Sequence, residues 1–232
     1  MPRLPRFFVK GQPLHAIQRG NNREAIFAAP EDYNRFREFL LDAAQRHACA
    51  IHAYVLMTNH VHLLVTPANE DSLSKLFQSA GRRYVQYFNF SYKRSGTLWE
   101  GRYRASIIDA ENYLLTCMRY IELNPVRGNM VGHPSNYPYS SYHANAQGEA
   151  DPLIAPHLIY RRLGEDAASR QAAYRQLFRA QLSKTDLQSI RDTLHKGWAL
   201  GNDRFRVKIE KLAGRRAAPL PRGRPRREGN GV

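Results

Sequence analysis

Apolar and polar positions switch between two periods along the first 145 or so residues, and the switches mark out the elements. Residues 14–19 read as a short strand closed by the turn signal Gly20-Asn21-Asn22. Pro30-Glu31-Asp32 then opens a helix, with proline and acids in its first turn, and Tyr33, Phe36, Phe39, Leu40 and Ala43 follow at helical spacing. Two strands come next, residues 50–57 and 60–66, split by the polar pair Thr58-Asn59 as in a hairpin. From Ser72 a second helix carries Leu73, Leu76, Phe77, Ala80, Tyr84 and Phe88 down one side. Residues 103–108 form another strand, and Asp109 caps a third helix running to about Asn124, where Pro125 follows. The order β-α-β-β-α-β predicts an α+β ferredoxin-like sandwich, an antiparallel sheet with helices on one face, here with an extra helix appended.

The pattern changes after Asp151-Pro152. Residues 156–198 read as helical and polar, with repeated Ala, Arg, Gln and Leu, and residues 204–227 hold ten basic side chains against one acid, Glu210. Three segments are therefore expected: a folded domain over 1–145, a helical C-terminal extension over 146–213, and a basic, disordered tail over 214–232. A chain of 232 residues can bury one good core, and 43% hydrophobic with 11% aromatic residues is a globular composition.

Charge narrows the partners. The 35 Lys and Arg against 20 Asp and Glu leave a formal +15, which repels itself unless a polyanion compensates it. No apolar run approaches the roughly 18 residues of a membrane span, so nucleic acid leads by elimination. Charge alone gives a class of partner and no chemistry. Cys49 and Cys117 are the only cysteines, far apart and set among apolar residues, which is no disulfide framework or zinc knuckle and fits a reducing cytoplasm. The opening residues lack the apolar stretch of a signal peptide, so a cytoplasmic location is expected.

Candidate chemistry starts at His60-Val61-His62. Side chains two apart on a strand share a face, so both imidazoles project together while Val61 points into the core. Two neutral imidazoles a few ångströms apart suit a divalent metal. An isolated His-x-His is short and common, and by itself is more often a surface pair. The Asp and His of a His-x-His-x-Asp-His metallohydrolase are absent, since Leu63, Leu64 and Val65 follow. The third helix supplies partners. At about 100° per residue, Tyr113, Cys117, Tyr120 and Asn124 form one stripe. Tyr120 can attack a phosphodiester to store the bond as a phosphotyrosine, and Asn124, one turn on, offers a neutral oxygen as a third ligand. Tyr113, on the same stripe, is the rival nucleophile, and half-buried packing is the ordinary fate of a tyrosine.

Here the residues resemble a known family. The stretch Tyr54-Val55-Leu56-Met57-Thr58-Asn59-His60-Val61-His62-Leu63-Leu64-Val65 is similar to the metal-binding strand of HUH-type single-tyrosine transposases. Gly96-Thr97-Leu98-Trp99-Glu100-Gly101-Arg102-Tyr103 and Arg119-Tyr120-Ile121-Glu122-Leu123-Asn124-Pro125-Val126-Arg127 resemble the branch called REP-associated tyrosine transposases. The resemblance covers roughly residues 3–145 and continues weakly through residues 196–201. It implies His60 and His62 as ligands for Mg²⁺ or Mn²⁺, Tyr120 as nucleophile and Asn124 as helper, where insertion-sequence relatives often carry Gln. It further implies cleavage of single-stranded DNA beside imperfect, REP-like hairpins, leaving a 5′-phosphotyrosine and a free 3′-hydroxyl; the chain is expected to act as a monomer or homodimer, which the residues do not distinguish. A rival of another class is a domesticated hairpin-binding protein that does not cut, which would have no use for a nucleophile beside a metal.

Residues 82–104 are the expected DNA track. Arg82, Arg83, Arg94, Arg102 and Arg104 suit phosphates, and Trp99 and neighbouring tyrosines offer faces to unstacked bases at ~1–3 kcal/mol each, with Tyr84 assigned to the core instead. In the tail, Pro221-Arg222-Gly223-Arg224-Pro225 resembles an AT-hook core, with Arg222 and Arg224 as minor-groove candidates, although nonspecific phosphate contact is the commoner use of such a sequence.

Overall fold

The computed structural model describes residues 6–219. Strands β1 (Leu14–Arg19), β2 (Cys49–Met57), β3 (His60–Pro67) and β4 (Arg104–Ile107) form one antiparallel sheet in the order β2-β3-β1-β4. Helix α1 (Pro30–Arg46) links β1 to β2, and α2 (Ser72–Ser91) links β3 to β4. This is the ferredoxin-like sandwich expected from the order of elements.

Alternation along the strands feeds two cores. Leu14, Ala16, Val61, Leu63, Val65 and Ile107 lie with Phe36, Leu40, Leu76 and Tyr84 of α1 and α2. Ala53, Val55, Met57 and Leu64 face the other way, against Leu114, Cys117, Met118 and Ile121 of α3 (Ala110–Glu122). The appended helix thus covers the face opposite the sandwich's own pair. A bulge between Ile51 and Ala53 sends these two residues, which would otherwise share a face, into different cores. His52 occupies the bulge with both ring nitrogens bonded, to the Ala155 carbonyl at 2.6 Å and Thr66 Oγ1 at 2.8 Å.

Two helix boundaries differ from expectation. Asp109 sits at the start of α3, but its carboxylate accepts from the Asn112 side chain at 2.7 Å rather than from a backbone N–H. The helix stops at Glu122, and Asn124–Arg127 forms a separate turn, α4, with Pro125 inside it. Proline fits there because the first turn of a helix leaves its N–H groups unpaired.

Helices α5 (Leu158–Arg161), α6 (Ala167–Leu177), α7 (Lys184–Lys196) and α8 (Asp203–Ala213) follow. Buried Glu122 ties this region to α3, accepting from Ser141 Oγ at 2.7 Å, Asn145 Nδ2 at 2.9 Å and Tyr174 Oη at 2.7 Å. Gly197 ends α7 at φ 69°, and residues 198–200 then run along β4, where Ser106 Oγ donates to the Trp198 carbonyl and Leu200 bridges to Ile108. Within residues 214–219, which composition assigns to the tail, Arg215 and Ala217 make contacts with the rest of the fold. Ala217 is fully buried, its carbonyl accepts from Ala199 N, and the Arg215 guanidinium lies 3.6 Å from the Phe7 ring centre. Arg222 and Arg224 lie outside the described residues. Among the described residues no helix is long and apolar enough to cross a membrane.

The turn after β1 holds the β2–β3 hairpin. Gly20 N donates to the Asn59 carbonyl at 2.8 Å and Ile26 N to the Thr58 carbonyl at 2.8 Å. A methyl group on Gly20 would meet the Glu24 carbonyl and come within 2.7 Å of Ile26 Cγ2, so only glycine allows this approach. Gly20→Ala should therefore destabilise the protein by about 1–3 kcal/mol, read as a lower urea midpoint; an unchanged midpoint would show that the turn yields freely.

Candidate active site

Because β3 alternates, His60 and His62 project from the α3 side of the sheet, with ring centres 5.1 Å apart. Tyr120 meets them from α3, its ring centre 6.1 Å from that of His62. Asn124, at the start of α4, completes the predicted set. All four line one pocket of about 480 Å³, together with Arg19, Arg102, Arg104 and Arg127. Tyr113 is not among the lining residues; it packs partly buried against the α3-side core.

Hydrogen bonds fix which ring nitrogens face the pocket. Asn59 Nδ2 donates to the Arg23 carbonyl at 2.9 Å, which turns its Oδ1 toward His60 Nδ1 at 2.6 Å. Since that oxygen can only accept, the His60 proton sits on Nδ1 and the lone pair on Nε2. His62 Nδ1 is paired with His15 Nε2 at 2.8 Å, leaving Nε2 as the remaining nitrogen of His62. Burial lowers the pKa of His60 to about 4 and of His15 to about 3, and holds His62 well below the usual histidine value. Positive neighbours push the same way, Arg19 on His60 and Arg127 on His15 and His62. The imidazoles are accordingly neutral at pH 7.

Arg127 stacks on the tyrosine. Its guanidinium lies 4.1 Å from the Tyr120 ring centre and Nη2 donates to the Tyr120 carbonyl at 2.7 Å. Nη1 is buried without a hydrogen-bond partner, and no described acid forms an ion pair with this side chain. Helix α7 closes the pocket with Arg191, Asp192 and His195.

His15, Asn59, Arg127 and the α7 residues are site residues that sequence reasoning did not select. Arg127 carried a usable signal, since seven residues is close to two helical turns and returns it to the Tyr120 stripe. His15 carried none, as its neighbour in space is set by strand pairing with Leu64 opposite. Of the expected DNA-binding residues, Arg102 and Arg104 enter this pocket, whereas Arg82 and Trp99 line a second groove together with Arg102. Arg83 pairs with Asp42 at 2.6 Å, and Arg94 lies 3.7 Å from Glu24, both away from the two histidines. Tyr84 is core, donating to the Ile26 carbonyl.

The ferredoxin-like sheet thus presents paired histidines to a tyrosine on an appended helix. The chain belongs to the family described as IS200-like transposases, whose model matches residues 8–124. Within that family it is similar to a REP-associated tyrosine transposase of Escherichia coli, 21% identical over 154 residues, covering 66% of this chain and 90% of that one. A Haemophilus influenzae protein provisionally given the same description is 28% identical over 133 residues, covering 52% of this chain and 75% of the relative. The fold matches a solved REP-associated tyrosine transposase bound to a REP hairpin, with a TM-score of 0.51 and 22% identity over 68% of this chain and 93% of that chain.

The buried histidines have a consequence for stability. His15, His52 and His60 have lowered folded pKa values of about 3, 4 and 4, and His62 is lowered too, so between roughly pH 4 and 6.5 the unfolded chain binds protons that the folded one refuses. Their contribution is present above pH 6.5 and lost on acidification. Glu122 opposes it, because burial raises its pKa to about 7 and its protonated form favours the fold below that value. The lowered imidazoles, His157 among them, outnumber the one raised carboxyl, so unfolding takes up protons on balance over this range. The urea midpoint of the metal-free protein should fall steadily from pH 7 to pH 5, and a rise over that range would contradict the assignment.

Proposed function

We propose that the protein is a metal-dependent endonuclease and strand transferase for single-stranded DNA, acting beside hairpin-forming repeats through a 5′-phosphotyrosine on Tyr120. The observation that carries this reading is the convergence of Tyr120, His60, His62 and Asn124 on one arginine-lined pocket. The substrate class follows the REP hairpin bound by the fold relative.

The donor set fits a hard divalent cation. His60 and His62 each have an Nε2 free of protein hydrogen bonds, both rings are neutral, and Asn124 adds an amide oxygen without charge. Among the described residues no three His, Cys, Asp or Glu side chains form a metal cluster by themselves, so the amide is required to complete the set. Mg²⁺ or Mn²⁺ held there would polarise the scissile phosphate and offset its developing charge.

The residues of the chain supply the rest. Tyr120 Oη attacks phosphorus, the bond from phosphorus to the 3′-oxygen breaks, and that oxygen departs as a hydroxyl after taking a proton. The phenol proton passes to solvent, which returns one to the departing 3′-oxygen, and Arg127, stacked on the ring, favours the phenolate that forms. Its unpaired Nη1 is placed for a phosphate oxygen. Attack by a 3′-hydroxyl on the phosphotyrosine reverses the step, joins the strand and restores Tyr120. A metal on His62 Nε2 requires the His62 proton on Nδ1, and His15 Nε2, 2.8 Å away, is placed to accept it, which makes His15 a positioning residue.

Tyr120→Phe should abolish nicking and the covalent protein–DNA adduct while leaving hairpin binding near the wild-type level. An adduct that persists there and vanishes in Tyr113→Phe would move the nucleophile to Tyr113, and a wild-type protein that binds hairpins without any adduct would be a non-cutting binder. Chelation should stop cleavage, with Mg²⁺ or Mn²⁺ restoring it, and His60→Ala or His62→Ala should be folded and inactive; cleavage undiminished by EDTA would remove the metal from the scheme. His15→Ala should weaken Mn²⁺ binding roughly 10–100-fold, measured by titration calorimetry without DNA, and unaltered affinity would deny His15 that role.

A further inference from the structure

The turn between β1 and α1 contains two consecutive residues with positive φ, 50° at Asn22 and 60° at Arg23. Asparagine enters this left-handed region readily, whereas a long side chain seldom does, which makes Arg23 the outlier. Its side chain is exposed and forms no ion pair among the described residues, so side-chain contacts do not account for the conformation. A strained residue persists only where its surroundings over-determine it, and such residues gather at functional sites. Here Asn21 N donates to the Leu98 carbonyl at 2.9 Å, Glu24 N to the Asn21 carbonyl at 2.9 Å, and Ile26 N to the Thr58 carbonyl at 2.8 Å. The turn delivers the Arg23 carbonyl, which accepts from Asn59 Nδ2 at 2.9 Å.

An asparagine amide can lie either way round, and the two orientations have opposite consequences for His60. A carbonyl oxygen only accepts, so the group facing Arg23 is the amide NH₂ and the group 2.6 Å from His60 Nδ1 is Oδ1. Turned over, the amide would set two oxygens against each other and would donate to Nδ1. The proton of a neutral imidazole goes where the hydrogen bond of the other nitrogen allows it. A reversed amide would therefore put the His60 proton on Nε2, where it would occupy the lone pair that faces the pocket. His15 beside His62 can donate or accept, so of the two candidate ligands only His60 has its proton placed by the fold alone.

We propose that Asn59 is a positioning residue for metal capture: anchored by the Arg23 carbonyl of a strained turn, its Oδ1 keeps the His60 proton on Nδ1 and the Nε2 lone pair toward the pocket. The proposal rests on the metal reading above. A ring already in the ligating tautomer needs no proton rearrangement when the cation arrives, which is preorganisation at the level of a single hydrogen. The strain at Arg23 thus serves a lone pair on a residue 37 positions away in the chain.

Two-bond ¹H–¹⁵N correlation spectra of the metal-free full chain at pH 7 report the tautomer of each imidazole, with His60→Gln used to assign the His60 signals. The wild type should carry the His60 proton on Nδ1. In Asn59→Ala it should move to Nε2, the nitrogen favoured in free histidine. Mn²⁺ affinity of that variant, measured by titration calorimetry without DNA, should fall roughly 10–100-fold. Asn59→Asp, whose side-chain oxygens only accept, should keep the proton on Nδ1, which a merely structural role would not require. A wild-type proton on Nε2, or a tautomer or Mn²⁺ affinity unmoved in Asn59→Ala, overturns the role of Asn59 alone. The wild-type spectrum decides this even where Asn59→Ala does not fold. A wild type that binds no Mn²⁺ overturns the metal reading beneath it, and the positioning role with it.

Discussion

Strand β3 must serve two masters, and its alternation decides most of what surrounds it. Val61, Leu63 and Val65 fill the core under α1 and α2, which obliges His60, His62 and Leu64 to face the opposite side. A slip of one residue in pairing with β1 would turn the histidines into the core under α1 and α2 and carry the valines to the α3 side. The register of Ile17 against His62 and Arg19 against His60 is therefore what places the imidazoles and the basic side chain together. Gly20, at the end of that ladder, fixes the hairpin from which His60 emerges.

Electrostatics on the histidine face follow from burial. A sheet covered by α3 is dry enough to keep three imidazoles neutral, and the arginines around them make protonation still less favourable. The same surroundings leave Arg127 charged without an acid, against the ring of Tyr120. Neutral imidazoles offer lone pairs to a cation while Arg127, without an ion-pair partner, offers its charge to an anion, although Glu100 and Asp192 also line the pocket. On the function proposed above, a phosphodiester and a divalent metal would together satisfy both demands.

The C-terminal helices are part of this construction. Glu122, two residues beyond the tyrosine, holds Ser141, Asn145 and Tyr174 in a buried network that joins α3 to α6. Residues 198–200 extend the edge at β4, which brings α7 over the pocket mouth and adds Arg191, Asp192 and His195 to its lining. Packing of Ala217 and Arg215 against residues 197–199 and Phe7 carries that docking past Gly214.

Much of this was legible in the residues. The strand and helix periods placed β1 through α3 to within a residue or two, because each element's apolar face is written locally, and the His-x-His and Tyr-x-x-x-Asn spacings put each pair on one face of its element. Turn chemistry at Gly20 and Thr58-Asn59 was equally local. The partner of His62 was not, since His15 lies 47 residues away and reaches it only through the pairing of β1 with β3. The proton positions on the two ligand candidates depend on that contact and on Asn59, so tautomer could not be read from spacing. Spacing also could not show that Arg83 pairs with Asp42 or that Arg127 and Arg215 stack on aromatic rings, because these contacts arise from helices and loops meeting across the fold. Period and motif thus determined which faces exist and what chemistry each carries, while tertiary structure alone decided which faces meet, because strand register and helix docking are settled by contacts between residues far apart in the chain.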